Sequence, residues 1–453
     1  MDHPRSKLPA VLAILFCIAL LGGVGVLLWK ALPEKQQPQQ AETIQTDSVF
    51  SSEQTAVEPE REAPYEGELP EQAEAAQPEQ PDSEQPSEPA ADPAAPDDTP
   101  VTDAQKTAQA TLASMTEDEK LWQLFFVTPE AITNVNTATI AGEATKNALA
   151  QYPVGGIVYF AKNLEDRAQA AALLANTQSY AKIPLFLGVD EEGGTVSRIG
   201  ANEALGGTKV ADMRSFGQSA DPAQVYAAGQ TLAANLTGLG FNLDFAPDCD
   251  VVSGVDSVIG SRSFGSDPEL CASLACIIVK SLRAEGVVSC LKHFPGYGSA
   301  TVDDHNGTSI VEKTLDELES CDLVPFQSII AQEGSVPFVM VTHLSYPNVT
   351  GSDTPADLSS AIVTDILRDK LGYQNVIITD SQSMSSITDH YSAGEAAVQA
   401  LAAGCDMILM PSDLQGAFDA VKAAVADGTL TQSRIDESVL RILTVKAEYG
   451  ILQ

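Results

Sequence analysis

The residues best suited to chemistry lie in one stretch of the chain, VVSCLKHFPGYGSATVDDH at positions 287–305. It begins as a short run rich in β-branched residues, which is typical of a buried strand. The run turns polar at Lys292 and His293, and a Pro/Gly loop leads from there to Asp303 and His305. A carboxylate beside an imidazole fixes the ring tautomer and favours its protonated form, so Asp303 and His305 could supply a general acid. The alternative is an ordinary ion pair for Lys292 and a solvated loop position for His305.

A second candidate is Asp380, which ends the apolar run NVIITD at 375–380. An acid directly after a strand is often only a helix cap, and Ser381 is an equally good cap. In catalysis, a carboxylate held on a rigid strand can act as the nucleophile that traps an oxocarbenium-like centre. The residues by themselves leave both interpretations open.

The segments that must position these residues alternate between strands and amphipathic helices from residue 102 onward. The predicted strands are Leu124–Val127, Gly156–Phe160, Leu185–Val189, Asn242–Ala246, Val287–Leu291, Phe338–Thr342, Val376–Thr379 and Asp406–Met410. The predicted helices include Pro222–Leu239, Pro268–Glu285, Thr314–Ala331, Ser359–Leu371 and the closing helix Gln432–Tyr449. Eight strand–helix units in a span somewhat above ~250 residues predict an α/β fold, a (β/α)8 TIM-type barrel. A doubly wound open sheet is the alternative, but no GxGxxG motif follows the first strand.

Polar and ionisable residues recur where the predicted strands end. They are Asp190 to Gly194, Asp244 to Asp250, Lys292 with His293, His343, Asp380 with Ser381, and Met410 to Ser412. The carboxyl ends of barrel strands all open on one face, so this concentration indicates one shared site.

Composition and charge restrict the partners of the chain. Its 453 residues carry a formal net charge of −37, which argues against nucleic acid because phosphate backbones require Lys and Arg. Much of that charge is local, since residues 31–100 hold eighteen acids against two bases. The seven cysteines include no CxxC pair, which argues against a disulfide framework or a zinc site.

The first 102 residues are predicted to form an anchor and a spacer. Residues 8–29 are apolar and uncharged, about the ~20 residues that a membrane helix needs, and basic residues flank them. We expect residues 1–30 to be an uncleaved transmembrane signal-anchor with the catalytic part outside the cytoplasm. Lipidation at Cys17 is the weaker alternative. Residues 31–102, rich in Pro, Glu and Gln, should form a disordered acidic linker, and 103–453 the catalytic barrel.

Eight motifs, taken together in this order, resemble glycoside hydrolase family 3 in its single-domain β-N-acetylhexosaminidase branch, over roughly residues 110–450. They are GVDEEGG (188–194), NLDFAPDCDV (242–251), VIGSRSFG (258–265), LKHFPGYGS with DDH (291–305), MVTHLSYP (340–347), PADLS (355–359), IITDSQSM (377–384) and AGCDMILMP (403–411). The chain departs from the usual pattern of that branch at Glu191, Thr195, Tyr297, Asp304 and Ser381. The exact sugar and aglycone therefore stay open.

The resemblance implies a barrel that hydrolyses β-linked amino sugars with retention of configuration. Asp380 would be the nucleophile, and Asp303 with His305 would form the acid/base dyad. The sugar would be held by Asp190, Arg262, Lys292 and His293. No metal or organic cofactor is implied. The favoured substrates are GlcNAc-containing fragments of peptidoglycan. The alternatives are a β-glycoside phosphorylase, a broader β-glucosidase, or an inactive wall-binding module.

Overall fold

Eight parallel strands close into a barrel in the part of the chain that the computed structural model describes, residues 101–252, 257–300, 309–332 and 336–453. They are β1 (Phe125–Val127), β2 (Gly156–Val158), β3 (Phe186–Val189), β6 (Leu243–Asp244), β7 (Val288–Phe294), β8 (Phe338–Val341), β9 (Val376–Ser381) and β10 (Met407–Leu409); the two intervening strands, β4 (Glu191–Gly193) and β5 (Val196–Ser197), form an antiparallel hairpin. Around the barrel the order is β1-β10-β9-β8-β7-β6-β3-β2. The predicted (β/α)8 barrel is confirmed.

The strand β7 is longer than the sequence indicates. Its prediction stopped at Leu291, where the polar residues begin, but the strand continues to Phe294 and all seven of its residues are buried. Lys292 pairs there with the segment that follows β6, because Cys249 N–H donates to the Lys292 carbonyl oxygen at 2.9 Å. Lys292 and His293 therefore lie on a rigid strand inside the barrel mouth rather than in a loop.

Helices cover the outside of the barrel. The α-helices are Asp103–Ser114, Glu117–Gln123, Pro129–Thr133, Glu143–Gln151, Arg167–Tyr180, Met213–Ser219, Pro222–Thr237, Pro268–Ala284, Leu315–Glu317, Val324–Ile330, Pro347–Thr350, Ser385–Thr388, Ala393–Ala403, Leu414–Asp427 and Gln432–Glu448. Shorter 3₁₀ turns are Ala161–Asn163, Glu203–Leu205, Gly260–Arg262 and Ala356–Leu358, and Leu318–Asp322 and Ala361–Lys370 are π-helical.

One predicted helix, Thr314–Ala331, is wrong as a continuous element. The chain forms a single α-turn, then a π-helical turn, and then the helix Val324–Ile330. Pro325 lies at the start of that last helix. Because proline has no N–H for the carbonyl four residues earlier, the preceding turn widens instead of continuing as an α-helix.

The predicted anchor (1–30) and nearly all of the predicted linker (31–102) lie outside the described residues. Within the ranges given above, every helix is too short or too polar to span a bilayer.

Candidate active site

A cavity of about 600 Å³ opens at the carboxyl ends of the barrel strands. Five residues predicted from the sequence line it together: Asp190, Arg262, Lys292, His293 and Asp380. Its apolar walls include Phe160, Phe245, Met340 and Met410. The predicted dyad residues Asp303 and His305 fall outside the described residues. The expectation of one shared site at the strand ends is thus met by residues from β7 and β9 and from the segments after β3 and β6.

Buried and partly buried charges of opposite sign neutralise one another on one wall of this cavity. Lys292 Nζ lies 3.0 Å from Asp190 Oδ1 and 2.6 Å from Glu192 Oε1. Burial alone would lower the pKa of Lys292, but the two carboxylates outweigh it and raise that pKa above its ordinary value. Lys292 is therefore a permanent cation that can donate to a hydroxyl-rich ligand.

Glu192 lies in the polar stretch Asp190 to Gly194, but the sequence alone assigned it no role on this wall. Its two oxygens accept from Arg262 Nε at 2.8 Å and Arg262 Nη2 at 2.9 Å, a bidentate pair. Burial would raise the pKa of Glu192, yet the charges of Lys292 and Arg262 lower it to about 2. A signal was present: side chains alternate in extended chain, so Asp190 and Glu192 share one face while Glu191 points to the other.

Glu191 has a structural part instead. Its carboxylate accepts hydrogen bonds from the backbone N–H groups of Arg198, Ile199 and Gly200 at 2.7–2.8 Å, and from Ser197 Oγ at 2.9 Å. These bonds close the turn beyond the β4–β5 hairpin and hold Arg198 at the rim of the cavity. The carboxylate of Glu191 is therefore enclosed by donors of its own turn and does not line the cavity.

His293 is oriented by a second buried carboxylate, Asp250. His293 Nδ1 lies 2.8 Å from Asp250 Oδ2, while Asp250 Oδ1 accepts from the Tyr297 backbone N–H at 2.6 Å. Because Asp250 also accepts from the His293 backbone N–H, its carboxylate acts as an acceptor and Nδ1 is the donor. The other ring nitrogen, Nε2, then presents a lone pair toward Arg262 Nη2 at 3.4 Å. Burial and the Arg262 charge lower the pKa of His293, so the ring is neutral at neutral pH.

Asp248 adds a further acid behind the site. Burial raises the pKa of Asp248 and of Asp250 to about 7, and their mutual repulsion adds to the shift at Asp248. Ligand atoms of Asp248, Asp250 and His293 lie within 4.8 Å of one another, a spacing compatible with a metal ion. Arg262 Nη2 already lies 3.4 Å from Asp248 Oδ2, so a guanidinium supplies positive charge at this cluster.

Asp380 ends β9 with its carboxylate in the cavity. Its Oδ1 accepts from the Ser381 backbone N–H at 2.7 Å. Burial raises the pKa of Asp380, but electrostatic interaction with the His293 and His343 rings, the hydrogen bond from the Ser381 N–H and the Lys292 charge together lower it below its ordinary value. The carboxylate is consequently ionised at neutral pH, which is the state that a nucleophile requires.

A closed barrel that presents an ionised carboxylate at a strand end, among buried groups that can bind hydroxyls, defines the class of barrel glycosidases. The model of the glycosyl hydrolase family 3 N-terminal domain matches residues 116–445. The chain belongs to glycosyl hydrolase family 3, and the resemblance seen in the sequence is confirmed.

Individual relatives agree with this assignment. Beta-hexosaminidase A of Pseudoalteromonas piscicida is 34% identical over 329 residues, which are 66% of this chain and 54% of that protein. Beta-hexosaminidase LpqI of Mycobacterium tuberculosis is 34% identical over 365 residues, 79% of this chain and 89% of that protein. Among solved structures, the family 3 beta-N-acetylglucosaminidase from Paenibacillus sp. str. FPU-7 superposes with a TM-score of 0.70 at 34% identity, over 75% of this chain and 63% of that one. The chain thus spans about half the length of the Pseudoalteromonas relative.

Proposed function

We propose that this protein is a retaining β-N-acetylhexosaminidase that removes terminal β-linked GlcNAc from amino-sugar oligosaccharides. The observation that carries the proposal is Asp380, an ionised carboxylate on the end of β9 that faces Lys292 and Asp190 across one cavity. The names of the two hexosaminidase relatives support the choice of sugar.

Substrate binding would use the charged wall of the cavity. Asp190, Lys292 and Arg262 can make charge-assisted hydrogen bonds to sugar hydroxyls, and these bonds fix the ring against the nucleophile. His293 offers an acceptor at Nε2, since its Nδ1–H is held by Asp250. The site would therefore favour a sugar with a hydroxyl that can donate a hydrogen bond to Nε2 over a sugar with only an acceptor at that position.

The reaction proceeds in two displacements. A carboxylate oxygen of Asp380 attacks the anomeric carbon and the glycosidic C–O bond breaks, while His305, supported by Asp303, gives a proton to the departing oxygen. His305 then takes a proton from water, which attacks the same carbon and displaces the Asp380 carboxylate. Two inversions at one carbon retain the configuration.

The proposed substrate depends on where the barrel lies in the cell. If residues 1–30 anchor the chain and 31–102 act as a spacer, the barrel of residues 103–453 lies outside the cytoplasmic membrane. Peptidoglycan is the amino-sugar polymer nearest to that position, so GlcNAc–MurNAc fragments are the favoured substrate. Chitin oligomers and host glycans contain the same terminal sugar.

A panel of aryl β-GlcNAc, β-GalNAc and β-glucoside substrates tests the proposal. We expect aryl β-GlcNAc to be hydrolysed fastest, with β-anomeric GlcNAc released first, as proton NMR would show. Fastest turnover of the β-glucoside would assign a different sugar, and inactivity on all three would favour a wall-binding module.

Phosphorolysis is separated from hydrolysis by the same assay in phosphate buffer. A neutral histidine, unlike a carboxylate, does not repel an incoming phosphate. Free GlcNAc as the product in phosphate supports the hydrolase, whereas GlcNAc 1-phosphate would identify a phosphorylase.

A further inference from the structure

His343, which follows β8, is buried behind the nucleophile strand and has no part in the mechanism above. Its side chain has no solvent exposure. Its ring atom Nε2 lies 2.9 Å from the carbonyl oxygen of Ser381. A carbonyl oxygen can only accept a hydrogen bond, so Nε2 carries a proton.

The other ring nitrogen of His343 faces a second buried group, Asp357. Nδ1 lies 3.1 Å from Asp357 Oδ1, and Asp357 is also without solvent exposure. Within the described residues, neither oxygen of this carboxylate accepts a hydrogen bond from another group. A buried carboxylate left without a charged or donating partner is strongly destabilising, so a proton must lie between Nδ1 and Oδ1. With that proton on Nδ1, both ring nitrogens of His343 are protonated and the ring is an imidazolium.

Ser381 connects this pair to the nucleophile. Its backbone N–H donates to Asp380 Oδ1 at 2.7 Å, and its carbonyl oxygen accepts from His343. Its hydroxyl lies 2.8 Å from Ser383 Oγ, within the same turn. Both backbone groups of Ser381 are therefore bonded, one to the nucleophile and one to the imidazole.

We propose that Asp357 and His343 form a buried carboxylate–imidazolium pair that positions Asp380, by holding Ser381 and by facing the nucleophile with a positive charge. The proposal rests on the proposed function, since it takes Asp380 as the nucleophile. His343 is a positioning residue because it contacts Ser381 rather than the cavity. Among the described residues, the other titratable groups that interact electrostatically with Asp380 include Lys292, His293 and the thiol of Cys290, all on β7.

A first experiment measures the protonation of His343 directly. The full chain contains five histidines, so ¹⁵N-histidine labelling gives few ring signals, and His343→Gln identifies those of His343. We expect two protonated ring nitrogens in the wild type at neutral pH, and a neutral ring protonated at Nε2 in Asp357→Asn. A neutral ring in the wild type would overturn the proposal. This measurement needs no substrate, so it stands even if the enzyme proves to have another activity.

A second experiment measures the consequence for catalysis. His343→Gln keeps an amide N–H that can donate to Ser381 but removes the charge. We expect kcat to fall by about tenfold with KM little changed. We also expect the acid limb of the kcat/KM profile to move to higher pH, because Asp380 would lose a positive neighbour. His390→Gln, at an exposed position, is the matched control and should leave the profile unchanged.

Asp357→Asn keeps the volume of the side chain and distinguishes the pair from an isolated charge. If Asp357 holds the ring protonated, its loss neutralises His343 and moves the acid limb to higher pH, as His343→Gln does. A shift to lower pH would mean that the ring keeps its proton without Asp357, which contradicts the proposal. An unchanged profile in both folded variants contradicts it as well.

Discussion

The buried cation Lys292, the partly buried cation Arg262 and the acids around them set the chemistry of the barrel mouth. Lys292 and Arg262 share Glu192, whose pKa is held at about 2, while Asp380 keeps its negative charge a short distance away on β9. The ion pairs hold these side chains in place before a ligand binds, so a ligand rich in hydroxyls would find its hydrogen-bond donors and acceptors already oriented. Such preorganisation reduces the cost of orienting groups during the reaction.

Glu192→Gln tests this arrangement. Loss of the shared anion leaves the buried Lys292 and the partly buried Arg262 without their main partner. We expect the free energy of unfolding to fall by about 3 kcal/mol and kcat/KM by roughly 100-fold. The pKa of Glu192 is depressed in the folded state, so its contribution is complete above its ordinary value of 4.5 and is lost as pH falls toward 2. Denaturant unfolding at several pH values checks both the size and the pH window.

The exposed acid Glu203 provides the control, because Glu203→Gln changes the same functional group on the surface of the protein. Near-wild-type stability and activity of Glu192→Gln would contradict the account of the charged wall.

His305→Ala should be impaired in a way that depends on the leaving group. A general acid matters most when the departing oxygen is strongly basic, as in a natural disaccharide, and little for a nitrophenolate. We therefore expect a burst of nitrophenol followed by slow turnover, with partial rescue by azide, which needs no deprotonation. Equal loss on both kinds of substrate without rescue would mean that His305 binds sugar instead of transferring protons.

The sequence predicted the site residues whose side chains have recognisable chemistry. It gave no role to the acids that hold those side chains in place. Asp190, Arg262, Lys292, His293 and Asp380 lie around one cavity, as expected. Glu192, Asp248 and Asp250 lay in the polar strand-end stretches but received no individual role, because their partners cannot be read from the local sequence. Only the fold brings residues some seventy positions apart, such as Glu192 and Arg262, into contact.

Among the elements, the closing helix Gln432–Glu448 carries an unusual group. Lys446 is fully buried, donates to Gln123 Oε1 at 2.7 Å and lies 5.1 Å from the ring centre of Phe186 on β3. Burial lowers the pKa of Lys446 to about 7. The uncharged amine is the form that the folded protein favours at this position.

This helix supplies a pH prediction. Between pH 7 and 10.5 the unfolded chain binds a proton at Lys446 that the folded chain does not, so stability should rise with pH across that window. Lys446→Met removes that slope and should stabilise the protein at pH 7 by up to about 3 kcal/mol, less the cost of an unpaired Gln123. Urea unfolding at pH 7 and pH 9 measures the difference, and the exposed Lys280, as Lys280→Met, is the control. An equal slope in wild type and Lys446→Met would show that the buried amine is charged.

Elements could be predicted where local pattern decides them. The eight barrel strands follow from short apolar runs, and the helices Pro222–Thr237 and Pro268–Ala284 from an Asp cap followed by proline. The predicted helix Thr314–Ala331 was wrong because Pro325 interrupts the hydrogen-bond ladder. The sequence placed the end of β7 too early, because Lys292 and His293 are polar residues, which usually mark the end of a buried strand. Both are buried here because acids from other segments of the chain pair with them.

For the whole molecule, we expect a shortened chain that begins at Thr102 to be soluble and fully active. Within the part of the chain that the structure describes, the residues that line the cavity lie between Val158 and Met410. Activity on aryl β-GlcNAc, compared per mole with the full chain, measures this. A shortened chain that is folded but inactive would show that the N-terminal part takes part in catalysis.

The central claim is that Asp380 forms the covalent intermediate, and trapping that intermediate tests it most directly. His305→Ala can be mixed with dinitrophenyl β-GlcNAc, quenched in acid and digested, and the peptides analysed by mass spectrometry. We predict one added N-acetylhexosamine residue on Asp380, and none when Asp380→Asn is combined with His305→Ala, because an amide cannot form the glycosyl ester. A label on another carboxylate, or a nitrophenol burst with no label at Asp380, would contradict the account.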